Sequence, residues 1–225
     1  MNWTSLTFAE RAKVRGLLEE YISQQIQGFE IIEKNQSLWM KFLSKLLFFT
    51  PDFMDRFITA IYPKVYIPSL QKWEANNYYS TEILCHEYVH LSDRKRYGLL
   101  FNFLYLTPQL LAIVALLYPL SPWFLLFLVC LLPLPSPGRA WAELRGYRMS
   151  MAVRYWLTGD KIDIDFIVQQ FTGRNYYWML PAKKWVENWF QTEYGKIIND
   201  ELTPELREVK NLLTAYSFSV YNNLE

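Results

Sequence analysis

The sequence predicts a mostly helical α+β fold with a small edge sheet and an inserted hydrophobic helical hairpin. Apolar residues recur at helical spacing over most of the chain, with capping residues and prolines at the expected starts. One short β-branched stretch, Lys64-Val65-Tyr66-Ile67-Pro68, lies between prolines. From Tyr97 through Gly138 no Asp, Glu, Lys, Arg or His occurs, in a chain whose charged fraction is 20%. With 225 residues, 52% of them apolar, the chain has ample material for one core. It divides into an N-terminal helical segment (1–63), a central core (64–157) with the hairpin at 98–138, and a C-terminal helical segment (158–225).

Thr7 with Glu10 forms a capping box ahead of Phe8, Val14, Leu17, Leu18, Tyr21, Ile22 and Ile26, which keep to one helical face through about residue 28. Residues 37–49 read as a second helix, and Thr50-Pro51-Asp52 opens a third with proline at its first position. Lys64–Pro68 suits a sheet edge, because proline cannot donate to a ladder. Trp73–Tyr79 reads as a turn or second edge strand leading to Ser80 or Thr81 as the cap of a helix over 81–96.

Leu99 to Pro119 is long enough to cross about one hydrocarbon thickness as a helix, and Pro119-Leu120-Ser121-Pro122 turns the chain into a shorter arm, Trp123–Leu134. Such a hairpin is a spanning arm with a partial one, a re-entrant element, or a buried helix pair. Arg94, Lys95 and Arg96 precede it and Arg139, Arg145 and Arg148 follow, which puts basic residues at both ends on one side, the cytoplasmic one if a membrane is present. Helical patterning resumes over 139–157, then over Asp163–Phe171 up to Gly173, from Pro181 to about residue 198, and from Thr203-Pro204-Glu205 onward.

The formal net charge of +1 gives no basic surface, so no nucleic-acid partner is expected. Cys85 and Cys130 are too few for a disulfide framework and read as free thiols in a reducing compartment. The N-terminal residues lack a basic segment followed by an apolar run, so no signal peptide is expected.

His86-Glu87-Tyr88-Val89-His90 is an H-E-x-x-H that holds the chain's only two histidines. On a helix this spacing puts both imidazoles on one face, able to grip one Zn²⁺ while Glu87 activates a bound water. A catalytic zinc commonly takes three protein ligands, and with no third histidine the next must be a carboxylate or a cysteine. Glu143 is the best candidate, a lone acid among apolar and basic neighbours on a later helix; its alternative is an ion pair with Arg139 or solvent exposure. Asp93, three residues after His90, is too close on the same helix for a third tetrahedral ligand and belongs to the second shell or to solvent. Glu82, four residues before His86, is placed to orient that imidazole or to face solvent. Cys85 points about 100° away from His86 and reads as a packed thiol. Tyr147, with Tyr176 and Tyr177 as weaker candidates, is the expected hydroxyl donor to an oxyanion, although any of the 16 tyrosines can equally serve packing. Lys64–Pro68 is placed to bind extended peptide by edge addition.

Over about residues 64–157 these motifs resemble the zincin metallopeptidases and, within them, the gluzincins, in which a glutamate on a later helix completes the site. The arrangement is most similar to the minimal gluzincins and to the membrane heat-shock and CAAX-prenyl peptidases, where a hydrophobic hairpin separates the two helices. The resemblance implies zinc on His86, His90 and Glu143, Glu87 as general base and proton shuttle, and a peptide or protein substrate. The membrane peptidases carry Asp four residues after the ligand glutamate, where this chain has Tyr147. Similar small proteins occur in bacteria and their viruses. The expected locations are therefore the cytoplasm, the cytoplasmic face of a membrane, or a viral particle. The alternative is a non-catalytic structural or assembly protein on the same scaffold, or a membrane-perturbing one, with residues 98–138 docking a membrane or a hydrophobic protein partner, another copy in an oligomer included.

Overall fold

The computed structural model describes residues 3–47, 51–132, 134–173 and 178–222. Helix α1 (Phe8–Gln25) begins with the expected capping box: the Thr7 hydroxyl accepts from the Glu10 N–H at 3.3 Å, and the Glu10 carboxylate accepts from the Thr7 N–H. Its buried residues Val14, Leu18 and Ile22 recur every fourth position and face the core.

Three strands form the sheet: β1 (Glu30–Glu33), β2 (Thr59–Ile61) and β3 (Lys64–Ile67). The order is β1-β3-β2, with β3 parallel to β1 and antiparallel to β2. The strand expected at an edge is therefore central. Its prolines flank the ladder without entering it, so every residue from Lys64 to Ile67 keeps its N–H donor. Edge addition of a peptide is consequently open to β1 or β2, not to β3.

Helix α2 (Leu38–Leu46) is capped by Ser37. The helix expected to open at Thr50-Pro51-Asp52 is only a 3-10 turn, Pro51–Phe53, because the chain is soon drawn into β2; Thr50 lies outside the described residues. Trp73–Tyr79 is helical rather than a turn or strand: α3 (Leu70–Ala75) buries Trp73, and Asn76 caps α4 (Asn77–Tyr97) by accepting from the Tyr79 N–H at 3.1 Å. The motif helix thus starts ahead of Ser80 and Thr81, which are wholly buried inside it.

At Gly98 a φ of 59° lets the chain leave α4 and enter α5 (Leu99–Leu106). The uninterrupted helix expected from Leu99 to Pro119 is broken by an 87° bend between α5 and a 3-10 segment, Gln109–Leu117. Pro108 sits at the break; it has no N–H, and its ring excludes the carbonyl one turn earlier. The expected turn at Pro119–Pro122 returns the chain as a second 3-10 segment, Pro122–Leu131, packed along the first. Among the described residues no single helix is long and apolar enough to cross a membrane, although the bent pair passes that test of length and composition together.

Ser136 caps α6 (Pro137–Thr158), with Pro137 in the first turn. Asp163 caps α7 (Ile164–Thr172), which ends at Gly173 as expected. Helices α8 (Lys183–Ile198) and α9 (Pro204–Asn222) complete the chain. One buried cluster draws on all three sequence segments, including Leu18, Leu84, Val153, Phe171, Phe190 and Leu213. Each such side chain contributes about 1.5–3 kcal/mol on burial. Of the helix pairs, α4 and α6 pack most extensively.

Candidate metal centre

Helix α4 carries His86 and His90 one turn apart, and α6 presents Glu143 to both. The approach is close because α6 has glycine where it crosses His86: a Cβ at position 146 would lie 2.5 Å from His86 Nε2. His86 Nε2 is 3.5 Å from Glu143 Oε2 and His90 Nε2 is 3.9 Å from Glu143 Oε1. The two Nε2 atoms are 3.1 Å apart, and all three residues are buried. One ligand atom from each lies within 4.8 Å of the others, so the three residues selected from the sequence form a group that can hold a metal ion.

The donor set fits a cation. Between two imidazole nitrogens 3.1 Å apart there is room for only one proton, and Glu143 Oε2 is buried with no hydrogen bond among the described residues. Leaving such an acceptor unsatisfied is unfavourable, and a positive ion removes the penalty. Two imidazoles and a carboxylate match borderline transition metals better than calcium or magnesium.

Ser150 Oγ lies 3.1 Å from His86 Nδ1. When Nδ1–H donates to that hydroxyl, the Nε2 lone pair is left facing the site. Tyr105, on α5, donates its hydroxyl to Glu143 Oε1 at 2.9 Å, while Phe101 and Tyr105 flank the His90 ring. Tyr147 packs edge-on against His86, ring centroids 5.1 Å apart, and also against Phe171.

The two expected second-shell acids go elsewhere. Glu82 accepts two hydrogen bonds from Arg154, at 2.8 and 3.1 Å, and the nitrogen of His86 it was expected to orient is met by Ser150. Asp93 is buried rather than solvated; Arg145 grips both its oxygens at 3.0 Å and also reaches Glu205. That pair ties α4 to α6 beside the triad. Cys85 is buried and free, as expected, and its burial pushes the thiol well up.

Glu87, next to His86 on α4, is buried as well. Burial raises its carboxyl to about 7, against the pull of His86, and the charge on Glu143 adds to the rise. Burial also lowers His90 to about 4. For Glu143 burial acts upward, but the His86 and His90 nitrogens beside it and the Tyr105 hydroxyl hold the carboxyl down. Lys34 is fully buried; its Nζ donates to Phe53 O at 2.6 Å and lies 3.8 Å from the Phe53 ring centre. Burial lowers this amine to about 8, partly offset by Glu87 and Asp55.

Sequence reading missed Gly146, Ser150, Tyr105 and Lys34. The first two had a signal: Ser150 follows Glu143 by seven residues, two turns on the same face, with Gly146 between them. Tyr105 is only a polar group in an apolar stretch, and Lys34, between Glu33 and Asn35, carried no signal. Tyr176 and Tyr177 lie outside the described residues. No protein-family model, curated protein or solved structure matches this chain.

Proposed function

We propose that the protein is a zinc-dependent metallopeptidase of gluzincin type. The observation that carries this reading is the convergence of His86, His90 and Glu143 from two helices, with Glu87 beside them in an apolar surround. His86, His90 and Glu143 would hold zinc, which when bound polarises a carbonyl and lowers the pKa of a coordinated water to about 7. Glu87, with a carboxyl poised near neutrality, takes a proton onto its carboxylate and returns it to the leaving nitrogen. Ser150 fixes the His86 ring, and Gly146 lets α6 approach it. Tyr105 is the first candidate donor to the oxyanion, since its hydroxyl already meets a triad oxygen; Tyr147, packed on His86, is the second.

The test is hydrolysis of an unstructured polypeptide such as casein by the zinc-loaded chain beside Glu87→Gln. Cleavage by the wild type, and its loss in a variant that keeps its zinc, supports the reading. No cleavage by a fully loaded wild type contradicts it.

One observation favours a structural metal on the same scaffold. Phe101 and Tyr105 pack on the His90 side of the triad and Tyr147 on His86. On that reading the wild type binds zinc and cleaves nothing.

A further inference from the structure

We infer that the hairpin, residues 99–132, docks into the surface of an anionic lipid bilayer without crossing it. The hairpin exposes apolar side chains in several directions. On α5, Leu99, Leu100, Phe103, Leu104 and Leu106 are exposed over an arc of about 160° at 100° per residue. The return arm shows two of its three 3-10 rows, Leu125, Leu128 and Leu131 in one and Leu126, Val129 and Leu132 in the other. Near the tip, Leu116, Leu120 and Trp123 are 73%, 78% and 76% exposed. A folded partner covers one face, whereas a fluid apolar medium covers all of them.

Charge at the base of the hairpin selects the lipid. Exposed Lys95 and Arg96 end α4 where the hairpin begins. At the other end Ser136 N–H donates to Met179 O at 2.9 Å, and the strand of chain from 178 to 185 carries exposed Lys183 and Lys184, exposed Trp178 and Trp185, and no acid. Basic and indole side chains beside an apolar surface suit anionic headgroups.

The geometry limits the depth. The two 3-10 arms, Gln109–Leu117 and Pro122–Leu131, rise about 20 Å each at ~2.0 Å per residue, short of the ~30 Å hydrocarbon core. Their 3-10 bonding keeps backbone polar groups paired within the arms. The element therefore enters one leaflet. It stays fixed to the protein through Tyr105 on Glu143 and through the Ser136 hydroxyl on Thr107 O.

This inference does not rest on the metallopeptidase reading, and its test needs no metal. The full chain is floated through a density gradient with vesicles of phosphatidylcholine mixed with phosphatidylglycerol, beside the double variants L120E/W123E and K95E/R96E. All four positions are exposed; L120E/W123E should keep the wild-type unfolding midpoint, whereas K95E/R96E gives up the bond from Lys95 Nζ to Gln25 O at 2.6 Å and is compared at a temperature well below its own measured midpoint. The wild type should float, L120E/W123E should lose at least about tenfold of the bound fraction, and K95E/R96E several-fold. Wild-type protein that stays at the bottom overturns the inference, as does L120E/W123E that floats like wild type. So does a lipid-free discrete oligomer that L120E/W123E converts to monomer, which would identify a second copy as the occupant.

Discussion

Between α4 and α6 the protein buries His86, Glu87, His90, Asp93 and Glu143, whereas the hairpin that joins these two helices has no charged side chain and turns its leucines outward. Ordinary packing does the reverse of both. Inside the helix pair the charges are answered wherever the chain can answer them. Arg145 grips Asp93, Arg154 grips Glu82, and Tyr105 and the imidazoles face Glu143. What is left over, Glu143 Oε2 and two imidazole nitrogens aimed at each other, points to a cation from outside the chain. The hairpin's unanswered surface points to an apolar partner from outside it. The contrast teaches that residues which break a packing rule are best read by asking what external group would restore it.

The comparison breaks most sharply at Glu87. Glu87→Gln should lower peptide hydrolysis about 10²–10⁴-fold while leaving zinc content unchanged, as measured by turnover on the zinc-loaded chain. Equal activity in the variant would remove Glu87 from the chemistry. Next is Ser150→Ala, expected to weaken zinc binding about 10–100-fold in a chelator competition, because His86 loses the acceptor that fixes its ring. Unchanged affinity would make Ser150 mere packing.

Asp93→Ala should lower stability by about 1–3 kcal/mol in urea unfolding, since Arg145 loses the carboxylate that it grips with two bonds and keeps Glu205. By contrast Leu116→Ser in the hairpin should change the lipid-free protein by no more than about 0.5 kcal/mol. A large loss there would show the hairpin packed rather than displayed.

A pH dependence is expected as well. Lys34 has its amine held down to about 8 by burial, with Glu87 and Asp55 the charges acting on it. Between about pH 8 and its ordinary value near 10.4 the unfolded chain binds the extra proton, so this group makes stability rise with pH across that window. Below pH 8 both states are protonated and the penalty is fully present. Lys34→Met should flatten the rise, read as the unfolding midpoint at pH 8 and pH 10; a slope identical to wild type would place the amine in water.

Much of the site was legible because it is local. Two histidines four apart on a helix state their own geometry, and Glu143 is the one acid in a capped helix of apolar and basic residues. The partners of Glu82 and Asp93 were not legible, since Arg154 and Arg145 are neighbours only through the packing of α4 on α6. Sheet order failed for a similar reason. Glu30-Ile31-Ile32-Glu33 is too short to announce a strand, and without β1 the strand between two prolines looks like an edge. Asn76 was read as a turn residue when it is a helix cap, and Pro108 broke an apolar run whose length alone suggested one helix.

The metal centre is tested most directly by zinc content, from elemental analysis of the purified, zinc-reconstituted chain beside His86→Ala and Glu143→Ala. One zinc per wild-type chain is expected, with loss of it in both variants. A wild type that takes up no zinc, or a Glu143→Ala variant that holds it as well as wild type, would contradict the metal centre described above.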